Sequence, residues 1–390
     1  MKKNLLLLFP LFLFIIGCAE KPKSVGNGLP NIDGIFNILD TTLISTGDTT
    51  YITTFARGTG LSDLVGKISP TEEAVSLVNF IPGGTIDSLK GATIDTVEMR
   101  MTVNYVYKPS TFPVVLNVVE VKSSWSQATF NSDSLPSLML DTKTIGTFSD
   151  SMNYSNVTIA RLDTATVRKW ATSYSDTNAP RFYGFAIQSP AGISNGIIGF
   201  SSFSDYISYV PILLIHYTKN GVRDSLSYYS GEDTYATKYS GPTIFSPITV
   251  QGAFGIRSKV FFDLNSFVNK PIINNATMEL TLDTTVSLFG GYSPDSVTAL
   301  LGMSSTIVDQ ADSTIYVYGY KTTTTAGQSP VYSFSITLIA DRWVRSVKPN
   351  YGLSLRWAAE FGTVEKAVFF SSTAADITKR PRLKITYSSK

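Results

Sequence analysis

One cysteine in 390 residues excludes an internal disulfide. One histidine, His216, excludes the usual zinc sites, which draw on several Cys and His ligands. It also leaves a single residue to act as base in a Ser-His-Asp triad. Nothing singles out a carboxylate pair for glycosidic chemistry. Charge is scarce, at 16% of residues, and balanced: 32 Lys and Arg against 30 Asp and Glu. No basic run appears, which argues against nucleic acid, whose binding rests on phosphate neutralisation. Only one long apolar run exists, and it stands at the start of the chain.

That run, "NLLLLFPLFLFIIGC", follows Lys2 and Lys3. A charged start before a short apolar stretch is the pattern of a secretory signal, and the stretch is too short for a convincing membrane span. It ends in Ile15-Ile16-Gly17-Cys18, which resembles the bacterial lipobox. The resemblance implies a signal peptide over 1–17 and a lipidated Cys18 as the new N-terminus. Each buried acyl CH₂ contributes about 0.8 kcal/mol to anchoring. Residues 18–35, polar with Gly and Pro, read as a flexible tether. Ala19, where an Asp would retain the protein in the inner membrane, points to the outer membrane. The expected location is therefore the bacterial cell envelope, lipid-anchored.

The rest of the chain is rich in β-branched and aromatic residues, which favour strands. It also repeats itself. "TYITTFARG" (50–58) parallels "TYATKYSG" (234–241), "SLVNF" (76–80) parallels "SKVFF" (258–262), and "IDTVEMRMTV" (94–103) parallels "INNATMELTL" (273–282). Then come "LDTATVRKW" and "ITLIADRWV", "YGFAI" and "YGLSL", "GFSSF" and "VFFSS", and finally "PILLIHY" (211–217) and "PRLKITY" (381–387). Seven blocks in one order mean duplication, with a period far longer than that of a solenoid. Apolar residues alternate within the blocks, as strands with one buried face require. Asn220-Gly221 between extended runs predicts a hairpin. The expected fold is all-β: two tandem jelly-roll-like antiparallel β-sandwiches, each with one short helix, over 36–230 and 231–390.

Trp170 and Trp343 recur at matched places, as do Tyr183 and Tyr351, so all four are expected in the cores. His216 alternates with Leu213, Ile215 and Tyr217, which turns it away from the core. Asp163 and Asp341 recur near the short helices. Each either makes a local bond or supplies one oxygen to a Ca²⁺ site, which needs six to eight; no metal or cofactor is expected from a single carboxylate. Trp125 and Trp357 have no counterpart in the other copy. They join Tyr206, Tyr209, Tyr228 and Tyr229, in turn-rich surroundings, as candidate platforms on which a sugar ring could stack.

The blocks resemble the DNRLRE-type domain, also classed as the family-96 carbohydrate-binding module. The resemblance rests on "SLVNF", "IDTVEMRMTV", "WSQATFN" (125–131), Asp163-Thr-x-x-Val-x-x-Trp170, "YGFAI" and "PILLIHY", with their second-copy equivalents. The hexapeptide that names the family is absent, and the second copy lacks a counterpart of Trp125. The resemblance implies a jelly roll and the binding of acidic polysaccharides such as alginate. The expected function is non-catalytic binding of an extracellular polysaccharide by a membrane-anchored lipoprotein. The alternatives are a structural or adhesive envelope protein, contacting other envelope proteins, and a polysaccharide-degrading enzyme.

Overall fold

The computed structural model describes residues 37–55, 60–82, 84–107, 114–194, 196–205, 208–241, 247–290, 296–322 and 327–389. The signal, Cys18, the tether and Tyr206 lie outside them. Two strands come first, β1 (Asn37–Ile44) and β2 (Gly47–Ile52). Next are β3 (Ser62–Ser69), β4 (Glu72–Phe80), β5 (Thr93–Tyr107), β6 (Val114–Val121), β7 (Leu140–Asp150) and β8 (Val157–Arg161). Helix α1 (Thr164–Ser175) leads into β9 (Phe185–Gln188), β10 (Gly196–Ser201), β11 (Ile212–Lys219) and the long β12 (Val222–Tyr239). The second body runs β13 (Ile248–Gln251), β14 (Ile256–Phe261), β15 (Ile272–Thr281), β16 (Ser296–Gly302), β17 (Ala311–Thr322) and β18 (Val331–Ser335). It closes with α2 (Thr337–Val344), β19 (Leu353–Trp357), β20 (Lys366–Phe369) and β21 (Arg382–Ser389).

All strand pairings are antiparallel, and they wrap two hydrophobic cores as sandwich-like layers. The repeated blocks occupy the same register. Leu213 pairs with Met99 and Ile215 with Val97; Leu383 pairs with Met278 and Ile385 with Ala276. The helices bury one pattern twice, Val167, Trp170 and Ala171 on α1 and Ala340, Trp343 and Val344 on α2. That i, i+3, i+4 spacing lays one stripe of a helix on a sheet. Asn220 and Gly221 both adopt positive φ, as a two-residue hairpin between β11 and β12 demands.

The sheets draw the boundary elsewhere than 230/231, which falls inside β12. The first half of β12 pairs with β11, and its second half, which contains "TYATKY", pairs with β4 of the first body. Conversely, β1 pairs with β21 and β2 with β14 of the second body. The first unit is therefore 62–239; the second is 37–52 together with 248–389. Matching bonds mark the equivalence. Ser230 N–H donates to the Pro211 carbonyl at 2.9 Å, and Ser45 N–H to that of Pro381 at 3.0 Å. Asp233 Oδ2 accepts from Phe203 N–H and Asp48 Oδ2 from Ser372 N–H, both at 2.6 Å. Similarity between strand copies cannot assign them to a sheet, because both bodies offer the same edge.

A third cluster joins the units, with Leu64, Tyr105, Tyr107, Ile197 and Tyr235 packed against Phe254, Ile256 and Val364. Across it Tyr105 Oη donates to Glu365 Oε2 at 2.9 Å and Tyr235 Oη to the Phe361 carbonyl at 2.7 Å. Burial pushes the Glu365 carboxyl above its usual range. Tyr105 Oη also accepts from Val364 N–H at 3.1 Å, so Tyr105→Phe removes both bonds while leaving the ring packed. It is expected to cost about 1–3 kcal/mol in denaturant unfolding; an unchanged midpoint would show that the two bonds contribute nothing.

Candidate functional site

Strand β17 sends alternate residues to opposite faces. Ile315 and Val317 pack on the second core. Tyr316, Tyr318 and Tyr320 face outward at 48%, 45% and 58% exposure. Their ring centroids stand 5.5 and 6.4 Å apart along the strand. Because β17 lies between β16 and β18, the rings sit on a sheet face rather than an edge. Gly319 makes the packing possible: a Cβ there would meet the Phe334 ring, which fills its place beneath the strand. Gly319→Ala is expected to overpack the site and cost about 1–3 kcal/mol, readable as a lowered denaturation midpoint.

The neighbouring strands complete the face. Tyr318 pairs with Thr298, which pairs in turn with Arg356. Two strand spacings put the Arg356 backbone about 10 Å from that of Tyr318. Arg356 has no ion-pair or hydrogen-bond partner among the described residues. Ser296 and Ser333 flank Tyr320. The result is a row of amphipathic rings, with hydroxyls and one unpaired guanidinium alongside. Exposed apolar surface grouped in this way marks interaction sites more often than scattered residues do. Among its described residues the first unit has no such row. Its matching strand is β7, where Gly146 pairs with Val118 as Gly319 pairs with Val297, and β7 contains no tyrosine.

The residues expected from the sequence fall elsewhere and are not brought together. Trp357 is buried in the second core, stacked at 6.2 Å on Phe289. Tyr228 is buried edge-on against Trp170 at 5.3 Å. Neither presents a ring face to solvent, which corrects their candidacy: each lies on the inward side of its strand. Trp125 is half-buried, and its Nε1–H donates to the Tyr183 carbonyl at 2.6 Å, a bond that seats the ring against the protein. Tyr209 and Tyr229 are about half exposed. His216 is half-buried between Ser225 and Thr96. Asp163 accepts from Lys143 Nζ and Thr166 Oγ1, both at 2.9 Å, and Lys143 holds its carboxyl below the usual range. Asp341 accepts from Arg345 Nε at 2.7 Å.

Tyr316, Tyr318 and Tyr320 were not among the expected residues, although Tyr-x-Tyr-x-Tyr in a strand is the signal that finds them. A concave feature, a cleft of about 630 Å³, opens where the units meet, lined by Leu61, Asn104, Tyr154, Glu360 and Phe361 among others. Among the described residues, no group of three or more His, Cys, Asp or Glu gathers to hold a metal, and no helix is long and apolar enough to cross a membrane.

The fold defines an all-β protein of two sandwich-like units. No family model matches the chain, and no curated protein or solved structure matches it.

Proposed function

We propose that the chain is a non-catalytic, lipid-anchored envelope protein that holds an extracellular polysaccharide on the β17 tyrosine row. The exposed row of Tyr316, Tyr318 and Tyr320 carries this reading. A pyranose ring presents C–H groups on its faces, and these stack on aromatic rings; consecutive rings along a strand suit consecutive sugars along a chain. Arg356 favours a polymer with carboxylates, since guanidinium pairs well with carboxylate. The lipobox at Cys18 and the resemblance to a carbohydrate-binding family support the same reading. A shallow face gives micromolar to millimolar affinity, about −4 to −8 kcal/mol.

The test is a pull-down and titration with residues 19–390 on acidic and neutral polysaccharides, beside a reducing-sugar assay. Tyr318→Ala is expected to weaken binding at least tenfold, about 1.4 kcal/mol. Arg356→Gln is expected to weaken binding to uronate polymers and spare neutral ones. Released sugar would make the protein an enzyme. Binding lost through Phe361→Ala but not through the tyrosines would move the site to the cleft. A second reading, a structural or adhesive spacer, draws on the shared cluster and exchanged strands that stiffen the two units; no retention on any polymer would favour it.

A further inference from the structure

Two carboxyl groups are buried in the first unit without the partners that burial demands. Asp63 on β3 is 2% exposed and Asp233 on β12 is 1% exposed. Asp63 pairs across the sheet with Phe200, a core residue, and so faces the sandwich interior. No described residue hydrogen-bonds to its side chain, and its Oδ2 is buried and unpartnered. Asp233 pairs with Val78, another core residue. Its Oδ2 accepts from Phe203 N–H and, at 3.1 Å, from Ser230 Oγ, but its buried Oδ1 has no partner among the described residues. The turn at Ser202–Phe203 ties the two together, since Ser202 N–H donates to the Leu61 carbonyl at 3.2 Å. Ser76 Oγ, on the same inward face of β4 as Val78, is also wholly buried and unpartnered.

The second unit serves as an internal control. Phe369 stands where Phe200 stands: Phe200 pairs with Val103 near the end of β5, and Phe369 bridges Leu282 just past β15. The residue paired with Phe369 on β13 is Ile248, fully buried in the core. Ser258, the equivalent of Ser76, is satisfied by Thr50 Oγ1 at 2.6 Å and by the Thr249 carbonyl at 2.7 Å. The same architecture thus closes with an apolar residue and a complete hydroxyl network. The first unit instead places a second carboxyl beside the one that caps its turn.

An unpaired buried carboxylate is strongly disfavoured, and a second one nearby adds to the penalty. Burial pushes Asp63 well above the usual carboxylate range, with the charge of Asp233 adding to it, and burial pushes Asp233 up to about 6. Asp63 Oδ2 and Asp233 Oδ1 each lack a partner among the described residues. An ion seated between them neutralises both and gives each free oxygen a ligand role.

We propose that Asp63 and Asp233 bind one oxygen-preferring divalent cation of the calcium class, with Ser76 Oγ as a further oxygen. Two carboxylates balance its charge. The absence of nitrogen or sulfur donors disfavours zinc. The ion would pin β3 and β12 to the 202–203 turn, and with them the 60–62 segment that lines the interunit cleft.

The test uses residues 19–390, stripped with a chelator and titrated with calcium or magnesium chloride by calorimetry and thermal denaturation. The expected result is one calcium ion per chain and a melting temperature that rises with calcium, by mass action on the folded state. Asp63→Asn and Asp233→Asn should each weaken calcium binding at least tenfold. Asp63→Ile, the residue used at the matched place in the second unit, guards against misfolding; it should fold and melt at a temperature independent of calcium. A wild type that ignores millimolar calcium would overturn the proposal. So would an Asp63→Ile variant that keeps the full calcium response.

Discussion

Deleting residues 1–52 is expected to unfold the second unit and spare the first. Strands β1 and β2 precede the first unit in sequence but belong to the second in space. β1 covers β21 along eight residue pairs and β2 covers β14 along six. Leu43 packs on the second core, Thr50 Oγ1 bonds Ser258 Oγ at 2.6 Å, and Tyr51 Oη bonds Ser354 Oγ at 2.7 Å. Without them, β14 and β21 become open edges, and open edges invite aggregation. The fragment 60–241 keeps all its strand partners, and it should show a cooperative thermal transition of its own. The fragment 247–389 should lack one and regain it when a peptide spanning 37–55 is added in trans. A fragment 247–389 that melts cooperatively alone would show that the N-terminal strands are dispensable.

The second large effect is at the helix tryptophans, which are equivalent in place but not in bonding. Trp170 is fully buried, and its Nε1–H donates to the Phe80 carbonyl at 3.0 Å. Trp343 is buried too, but its Nε1 has no partner among the described residues. Either change to Ala should cost about 3–5 kcal/mol through lost contacts and a cavity. Changes to Phe should separate them. Trp170→Phe also leaves the Phe80 carbonyl unpaired, adding about 1–3 kcal/mol. Trp343→Phe loses only volume and should cost less than Trp170→Phe by about that amount. Equal losses in the two Phe variants, measured by chemical denaturation, would show that the indole bond is not what distinguishes them.

The candidate site was partly legible before folding. Tyr-x-Tyr-x-Tyr at 316–320 states that three rings share one strand face, but not whether that face meets solvent or another layer. Trp357 shows the converse: its lack of a counterpart in the other copy marked it as free to bind, yet the strand turns it into the core beside Phe289. Asp63 reads in sequence as an ordinary polar residue at a strand start. Its significance comes from Phe200 beside it and from Ile248 at the matched place in the second unit.

The sequence by itself determined that the chain is all-β and that its blocks are paired copies. It also determined which residues of each strand share a face, because side chains alternate strictly along an extended backbone. Pro-x-Leu-x-Ile-x-Tyr therefore settles into one register twice. Only the tertiary structure decided which copy each N-terminal strand completes, which aromatic faces remain open, and which carboxyls are shut away from water. Those outcomes depend on which sheet edge is within reach and what packs above each face. Neither is written in the alternation of a single strand.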